Sequence, residues 1–448
     1  MPTAKNICFF CCCVEVAPVN IALIKYWGKR NEELVLPLND SIAITIDELR
    51  ATTHISIGPN VETNSVTLNG AAIDIAGSAR FRHLFEQIRE YSNRKRKLKG
   101  QTTSKRWHTK IESHTNFPTA AGLASSAAGF AAIAYGLGKI FRLSERDIIR
   151  MARMGSGSAC RSIQGGFVHW KAGTQQQNDS DCFCEKLVPP SHWTQMRAVI
   201  VVVSTEHKKV GSSVGMRNTV RTSELMDTRV QLLVPKRVKQ LMGAIRERNF
   251  ATLAEITMAE SNQLHAVCMD TCPPLNYLNA TSHALIEFVH DFNTRFGTRL
   301  AYTFDAGPNC CLLLEVDTLA LLRRAFAQCF TFNCQFPDDN DGPAADGEEG
   351  EEEAQEDDAQ TEMAGPNSSS TKAATFPWTT PRAIQIQRIM LSKVGVGPRV
   401  LSFTSSAASS SSTGGGSASS SSSSSSNTNG SGGNSNCSNA TRVDCKML

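Results

Sequence analysis

Residues 116–140, NFPTAAGLASSAAGFAAIAYGLGKI, join a loop of Gly, Ala and Ser to an apolar helix with almost no side-chain bulk at the junction. Pro118 restricts the backbone ahead of the loop and Gly122 relaxes it. Ala120, Ala121, Ala124, Ser125, Ser126, Ala127 and Ala128 leave the first turn nearly bare, before the bulkier Phe130, Ile133, Tyr135 and Leu137. A helix start presents unpaired backbone N–H groups and partial positive charge. Small side chains let a phosphate reach those groups, and Ser125 and Ser126 add hydroxyl donors. An Ala-rich helix packed tightly on a sheet would read similarly. The concentration of small residues at the helix start favours the anion.

The common nucleotide loops are disfavoured. Neither Gly28-Lys29 nor Gly138-Lys139 has a Gly five positions upstream, and residues 155–160 lack the third Gly of G-x-G-x-x-G. Three other blocks carry chemistry. APVNIALIKYWGKR (17–30) sets Lys25, Lys29 and Arg30 beside Asn20, Tyr26 and Trp27. Ile21, Leu23, Ile24 and Trp27 suit a strand with solvated cations, a reading that fits Arg30 well, Lys25 fairly and Lys29 poorly. GSGSACRSIQGGFVHW (155–170) places Ser156, Ser158 and Arg161 among small residues. The planar fork of Arg matches a carboxylate or phosphate by two-point contact. AYTFDAGPN (301–309) places Asp305 after a strand-like run and before Gly307-Pro308. An Asp there is commonly a turn former, so catalysis and turn both remain open. The CCLLLEV that follows implies strand–turn–strand.

A chain of 448 residues accommodates two domains. Residues 338–362 hold 13 acidic side chains and no Lys or Arg. Setting them aside from the net charge of +4 leaves the remainder at +17, which suits an anionic partner. No nucleic-acid motif accompanies RKRKLK (94–99), which reads as a solvated loop; a polyphosphate substrate with a nucleotide fits better than nucleic acid. The 15 cysteines are odd in number and show no regular framework. Cys8-x-x-Cys11 lacks a second ligand pair, which disfavours zinc. Cys310 and Cys311 read as core residues of a chain in a reducing compartment. Residues 7–16 read as a first strand rather than a signal peptide. No apolar stretch approaches membrane-spanning length. The terminal Cys445-Lys446-Met447-Leu448 only weakly resembles a prenylation box.

Periodicity predicts strands over 41–47 and 53–57 and an amphipathic helix over 79–90. A second region opens with a strand at 197–205. Helices follow over 223–233, 236–248, 250–266, 282–296 and 318–330, interrupted by strands at 301 and 310. The expected division is an amino-terminal domain over 1–190 and a carboxy-terminal domain over 191–336 and 376–402. Residues 337–375 form a disordered acidic insertion and 403–448 a disordered Ser/Gly-rich tail. Neither stretch has the apolar area to offset the entropy of ordering. Deleting 338–362 or 405–448 is therefore expected to leave catalysis and thermal midpoint nearly unchanged.

The string P-T-A-A-G-L-A-S-S-A-A resembles the phosphate loop of the galactokinase, homoserine kinase and mevalonate kinase superfamily. The three blocks, in order, resemble the signatures of the diphosphomevalonate decarboxylase family, over roughly residues 14–401. This resemblance implies an α+β, two-domain fold: a left-handed β-α-β amino-terminal domain and a ferredoxin-like carboxy-terminal domain. It implies ATP-dependent decarboxylation of mevalonate 5-diphosphate to isopentenyl diphosphate by a cytoplasmic homodimer, with Mg²⁺ bridging the ATP phosphates and no metal ligand assigned. Asp305 would orient the substrate hydroxyl or take its proton, Lys29 would balance charge around Asp305, and Arg161 would clamp the substrate carboxylate. Asn20, Tyr26, Trp27, Gly28, Lys29, Arg80, Ser212 and Ser213 would bind substrate, with Ser156, Gly157, Ser158, Ala159 and Cys160. Gly122, Leu123, Ala124, Ser125 and Ser126 would take the ATP phosphates. The chain departs from the family in carrying Asn39-Asp40-Ser41 where Asn-Ser-Ser is usual, and His114-Thr115 before the loop. A sibling kinase and a catalytically silent scaffold are the rivals; the intact IKYWGKR and SACRS blocks argue against the kinase, and the retention of Lys29, Arg161 and Asp305 against the scaffold.

Overall fold

A computed structural model describes residues 9–58, 60–98, 107–117, 125–206, 208–339 and 381–407. Gly122, Leu123 and Ala124, most of the acidic insertion and the tail beyond 407 lie outside the described residues.

The amino-terminal sheet is built on two long strands, β1 (Phe9–Ile24) and β2 (Ser41–Gly58), paired antiparallel. Pro18 lies inside β1, and the register shifts between Pro18 and Val19. A proline cannot donate to a ladder, so an irregularity there is the physical expectation. β3 (Ser65–Leu68) and β4 (His108–Thr115) extend the sheet beyond β2, with β3 and β4 parallel. β5 (Phe167–Lys171) and β6 (Phe183–Val188) add to the other end of β2. The two strands expected at 41–47 and 53–57 are thus one continuous β2. Helix α1 (Ala79–Leu98) takes in residues 94–98, so nearly all of the basic run expected as a loop is helical. Helix α2 (Ser125–Phe141) presents Ala127, Ala128, Ala131, Ala132 and Ala134 to the core. Their small side chains let it lie close against β1 and β2. Helix α3 (Glu145–Gly155) is capped by the Ser144 hydroxyl and leads into a 3₁₀ turn, Gly157–Ser162.

The carboxy-terminal sheet is antiparallel. Its order is β8 (Ala301–Phe304), β9 (Cys310–Glu315), β7 (Met196–Val202), β10 (Arg388–Lys393). Beside it lie α4 (Ser212–Thr222), a π-helical turn at Arg229–Leu233, α5 (Val234–Glu247), α6 (Phe250–Met269), α7 (Ala280–Phe296) and α8 (Leu319–Cys329). One apolar cluster runs from Ile21, Leu23 and Ile44 of the first sheet to Val199, Leu253 and Phe304 of the second region. The sheets also meet through main chain: Gly395 N–H donates to Thr45 O at 2.8 Å, and Gly166 N–H to Gly395 O at 2.9 Å.

Two expected boundaries move. β11 (Arg399–Ala407) pairs along β1, so residues 403–407 are strand rather than tail, and this strand completes the amino-terminal sheet. A Ser-rich segment can do this because pairing uses backbone groups. At the other boundary, Asp339 grips the buried Arg197 at 2.8 and 3.1 Å, and Asp338 pairs with Arg323 at 2.5 Å. Both deletions as first drawn therefore remove structure. Asp339→Asn should cost about 1–3 kcal/mol, because it weakens a charge-assisted fork on a buried cation. A thermal midpoint equal to wild type would show that Arg197 does not need this partner.

Candidate active site

Helix α2, the 3₁₀ turn, the end of β1, helix α4 and the turn after β8 surround a cavity of about 580 Å³ between the two domains. Lys25, Lys29, Arg80, Arg161 and Lys208 line it, and Asp305 is the one lining carboxylate among the described residues. Such an excess of positive charge suits a polyphosphate.

Asp305 follows β8 in the turn the sequence suggested. Its Oδ1 lies 2.6 Å from Lys25 Nζ. The Lys25 side chain is 2% exposed and that of Asp305 31%, so the lysine is buried behind a carboxylate that reaches the cavity. This corrects the expected charge partner. Lys29 lines the same cavity, but its ammonium is 2.7 Å from Glu32 instead. Lys25 directly follows β1 and is buried there, whereas Lys29 lies beyond the Gly28 turn, beside Glu32. Gly28 has φ +96°, and a Cβ there would come within 2.7 Å of Leu38 and 2.8 Å of Val220.

Arg161 is buried on the 3₁₀ turn and lowered in pKa by that burial. Its Nε donates to Asn20 Oδ1 at 2.9 Å and its Nη1 to Ser41 Oγ. Asn20 in turn donates to Ser158 O and Ser162 Oγ at 3.0 and 2.7 Å. Asn20 is therefore a support behind Arg161. Among the described residues Arg161 has no ion pair, a costly state for a buried cation that an incoming anion would relieve. Asp40, the departure from the family pattern, turns away from this site. It accepts from His169 Nε2 and the Ala172 N–H, both at 2.8 Å. Burial works against its charge, but these bonds hold its carboxyl below the usual carboxylate range.

Tyr26 and Trp27 line the cavity. Tyr26 leans on Trp170 with ring centroids 4.7 Å apart, and Trp27 Nε1 donates to Thr219 Oγ1 at 3.0 Å. Gly157 lies under Tyr26, where a Cβ would meet the ring hydroxyl at 2.7 Å. Ser156 and Ser158 reach the cavity, while Ala159 and Cys160 are fully buried behind it. Arg80 donates to Ser213 Oγ at 2.6 Å across the mouth. Lys208, which sequence reading missed, donates to Ser212 Oγ at 2.9 Å and Ala306 O at 3.1 Å. Its signal was the HKKVGSS run leading into Ser212. Ser125 opens α2, and Ser126 lies 3.2 Å from Ser156 between their hydroxyl oxygens. The first turn of α2 holds no acid, and a Cβ on Gly129 would meet nothing within 4 Å. That helix start leaves open space in which an anion would meet no acid. Among the described residues there is no cluster of three or more metal-ligating side chains.

His265, on α6, packs edge-on against Phe304 with ring centroids 6.3 Å apart. Burial, and then the charge of Lys25, hold its pKa down at about 4. An unfolded His binds its proton near pH 6.5. The unfolded state therefore gains protons first as pH falls, and the fold loses stability between about pH 6.5 and 4. His265→Asn should flatten the fall of thermal midpoint across that window. An unchanged slope would contradict the assignment.

Two family models match: the diphosphomevalonate decarboxylase-like N-terminal domain over residues 17–184 and the mevalonate 5-diphosphate decarboxylase C-terminal domain over 198–401. The diphosphomevalonate decarboxylase of Rattus norvegicus is 41% identical over 392 residues, covering 86% of this chain and 92% of that protein. The mevalonate diphosphate decarboxylase structure from Trypanosoma brucei superposes with TM-score 0.71 at 32% identity, covering 87% of this chain and 98% of that one. A structure of MDDEF in complex with MVAPP, AMPPCP and magnesium superposes with TM-score 0.66 at 27% identity, covering 88% and 99%. With both domains matched and the blocks assembled around one cationic cavity, the chain belongs to the diphosphomevalonate decarboxylase family.

Proposed function

We propose that this chain decarboxylates mevalonate 5-diphosphate at the expense of ATP, giving isopentenyl diphosphate, ADP, phosphate and carbon dioxide. One observation carries the assignment of roles: the Lys25–Asp305 pair and the buried, acid-free Arg161 line the same cavity. The relative solved with MVAPP, AMPPCP and magnesium supports the pairing of substrate and nucleotide.

The tertiary hydroxyl of the substrate is a poor leaving group. Asp305 orients it and accepts its proton as the hydroxyl oxygen takes the ATP γ-phosphoryl group. Lys25 supplies the compensating charge for that carboxylate. Loss of the phosphate then builds positive charge at C3. The electrons of the bond to the carboxylate form the alkene, and carbon dioxide departs. Arg161 holds the carboxylate by two-point contact until that bond breaks. Tyr26, Trp27 and the 156–158 backbone shape the substrate pocket, and Arg80, Lys208, Ser212 and Ser213 take the diphosphate and the phosphoryl oxygens. Ser125 and Ser126, with Gly122, Leu123 and Ala124, hold the ATP phosphates. Mg²⁺ would supply neutralising charge to the ATP phosphates, and with no cluster of three or more ligating side chains among the described residues it would rely little on protein ligands. A homodimer is proposed on family grounds and is read by molar mass in solution.

Carboxyl-labelled mevalonate 5-diphosphate tests the reaction. Label released as carbon dioxide with ATP consumed is the expected result; ADP without carbon dioxide would make the chain a kinase, and neither would leave a binding scaffold. Asp305→Asn should lower turnover by roughly 10²–10⁴-fold if proton transfer is its main contribution. Arg161→Lys should lose most activity although charge is retained, because a point charge cannot reproduce the fork. Lys25→Met should be far more damaging than Lys29→Met. Equal losses would restore Lys29 as a partner of Asp305.

A further inference from the structure

Lys25 and Asp305 come from different domains and are 280 residues apart in sequence. Their spacing must be set by something that holds both strand ends at once. Helix α6 touches both through consecutive residues. Glu260, fully buried, accepts the Lys25 amide N–H at 3.1 Å. Ser261, 1% exposed, accepts the amide N–H of Phe304, immediately before Asp305, at 2.9 Å.

The Glu260 contact is reinforced. Arg229 is fully buried at the start of the π-helical turn, a geometry frequent at functional sites. It grips Glu260 at 2.8 and 3.2 Å and also donates to Lys25 O at 3.0 Å. Asn39 Nδ2 donates to the same carbonyl at 3.1 Å. The Arg229–Glu260 pair thus takes both peptide groups of Lys25. Arg237 completes the charge around Glu260 at 2.6 Å. A buried ion cluster of this kind commonly gives little net stability relative to apolar packing.

We propose that Glu260 and Ser261 of α6 are positioning residues that set the geometry of the Lys25–Asp305 pair for the reaction above. The inference rests on that reading of the pair. Positioning errors of about 1 Å can cost on the order of 10²-fold in rate, so the effect should fall on turnover.

The test uses the full-length enzyme and steady-state kinetics with mevalonate 5-diphosphate and ATP. Ser261→Ala leaves the Phe304 amide unpaired with little change of volume. Glu260→Gln keeps shape but removes charge. Thr257→Val is the control: it is equally buried, one turn earlier on α6, and its hydroxyl makes no hydrogen bond to either strand end or to any other described residue. Ser261→Ala and Glu260→Gln should each lower kcat by about fivefold or more, with both KM values within about threefold, while Thr257→Val keeps wild-type kcat. If Glu260→Gln does not fold, Ser261→Ala and Thr257→Val decide. A smaller kcat loss in Ser261→Ala, a loss carried by KM, or an equal loss in Thr257→Val would overturn the proposal. Lys25→Met in the same series separates the two failures. If it keeps wild-type kcat, the reading of the ion pair itself is wrong; if it loses turnover while Ser261→Ala does not, only the role of α6 is.

Discussion

The 2.6 Å contact between Lys25 and Asp305 is the point on which the rest of the site depends. It joins the end of a strand in one domain to the turn after a strand in the other. An ion pair with one partner buried and the other partly exposed is electrostatically asymmetric. The lysine loses hydration, and the carboxylate repays it only while the spacing is kept. The apolar cluster that runs from β1 and β2 into the second sheet fixes that spacing coarsely. The bonds from α6 to the two strand ends fix it finely.

Charge explains the remainder of the cavity. Five cationic side chains line it against one carboxylate, and the buried Arg161 has only neutral oxygen partners among the described residues. Without ligand these cations repel one another. Polyphosphate and carboxylate ligands would cancel that repulsion, concentrating binding energy where charge moves in the proposed reaction. The bare start of α2 leaves room for phosphate oxygens beside Ser126 and Gly129.

Much of this was legible in the sequence. The small-residue helix start, the Arg161 block and Asp305 after its strand were readable because each combines a local pattern with a demanding residue type. Sequence reading favoured Lys29 over Lys25, because Lys29 follows a Gly in a polar turn, and so chose the lysine that does not contact Asp305. Both lie in one basic block, and only the tertiary course of the chain buries Lys25 and turns Lys29 towards Glu32. Glu260 did leave a signal. Leu253, Thr257, Glu260, Leu264 and Val267 recur at helical spacing and are all buried, so an acid on that face had to be paired. The pairing of Ser402 to Ala407 with β1 was invisible to composition, because those residues contribute backbone rather than apolar surface. Asp339 was masked by the acidic run around it, and only the arrival of Arg197 distinguishes it.

The central claim is that Lys25 and Asp305 act as one unit. A double-mutant cycle on kcat measures this directly, using Lys25→Met, Asp305→Asn and the combined variant. If the two side chains form one device, the double variant should lose no more than the worse single variant, within about threefold. Losses that multiply would show two independent contributions and would contradict the account.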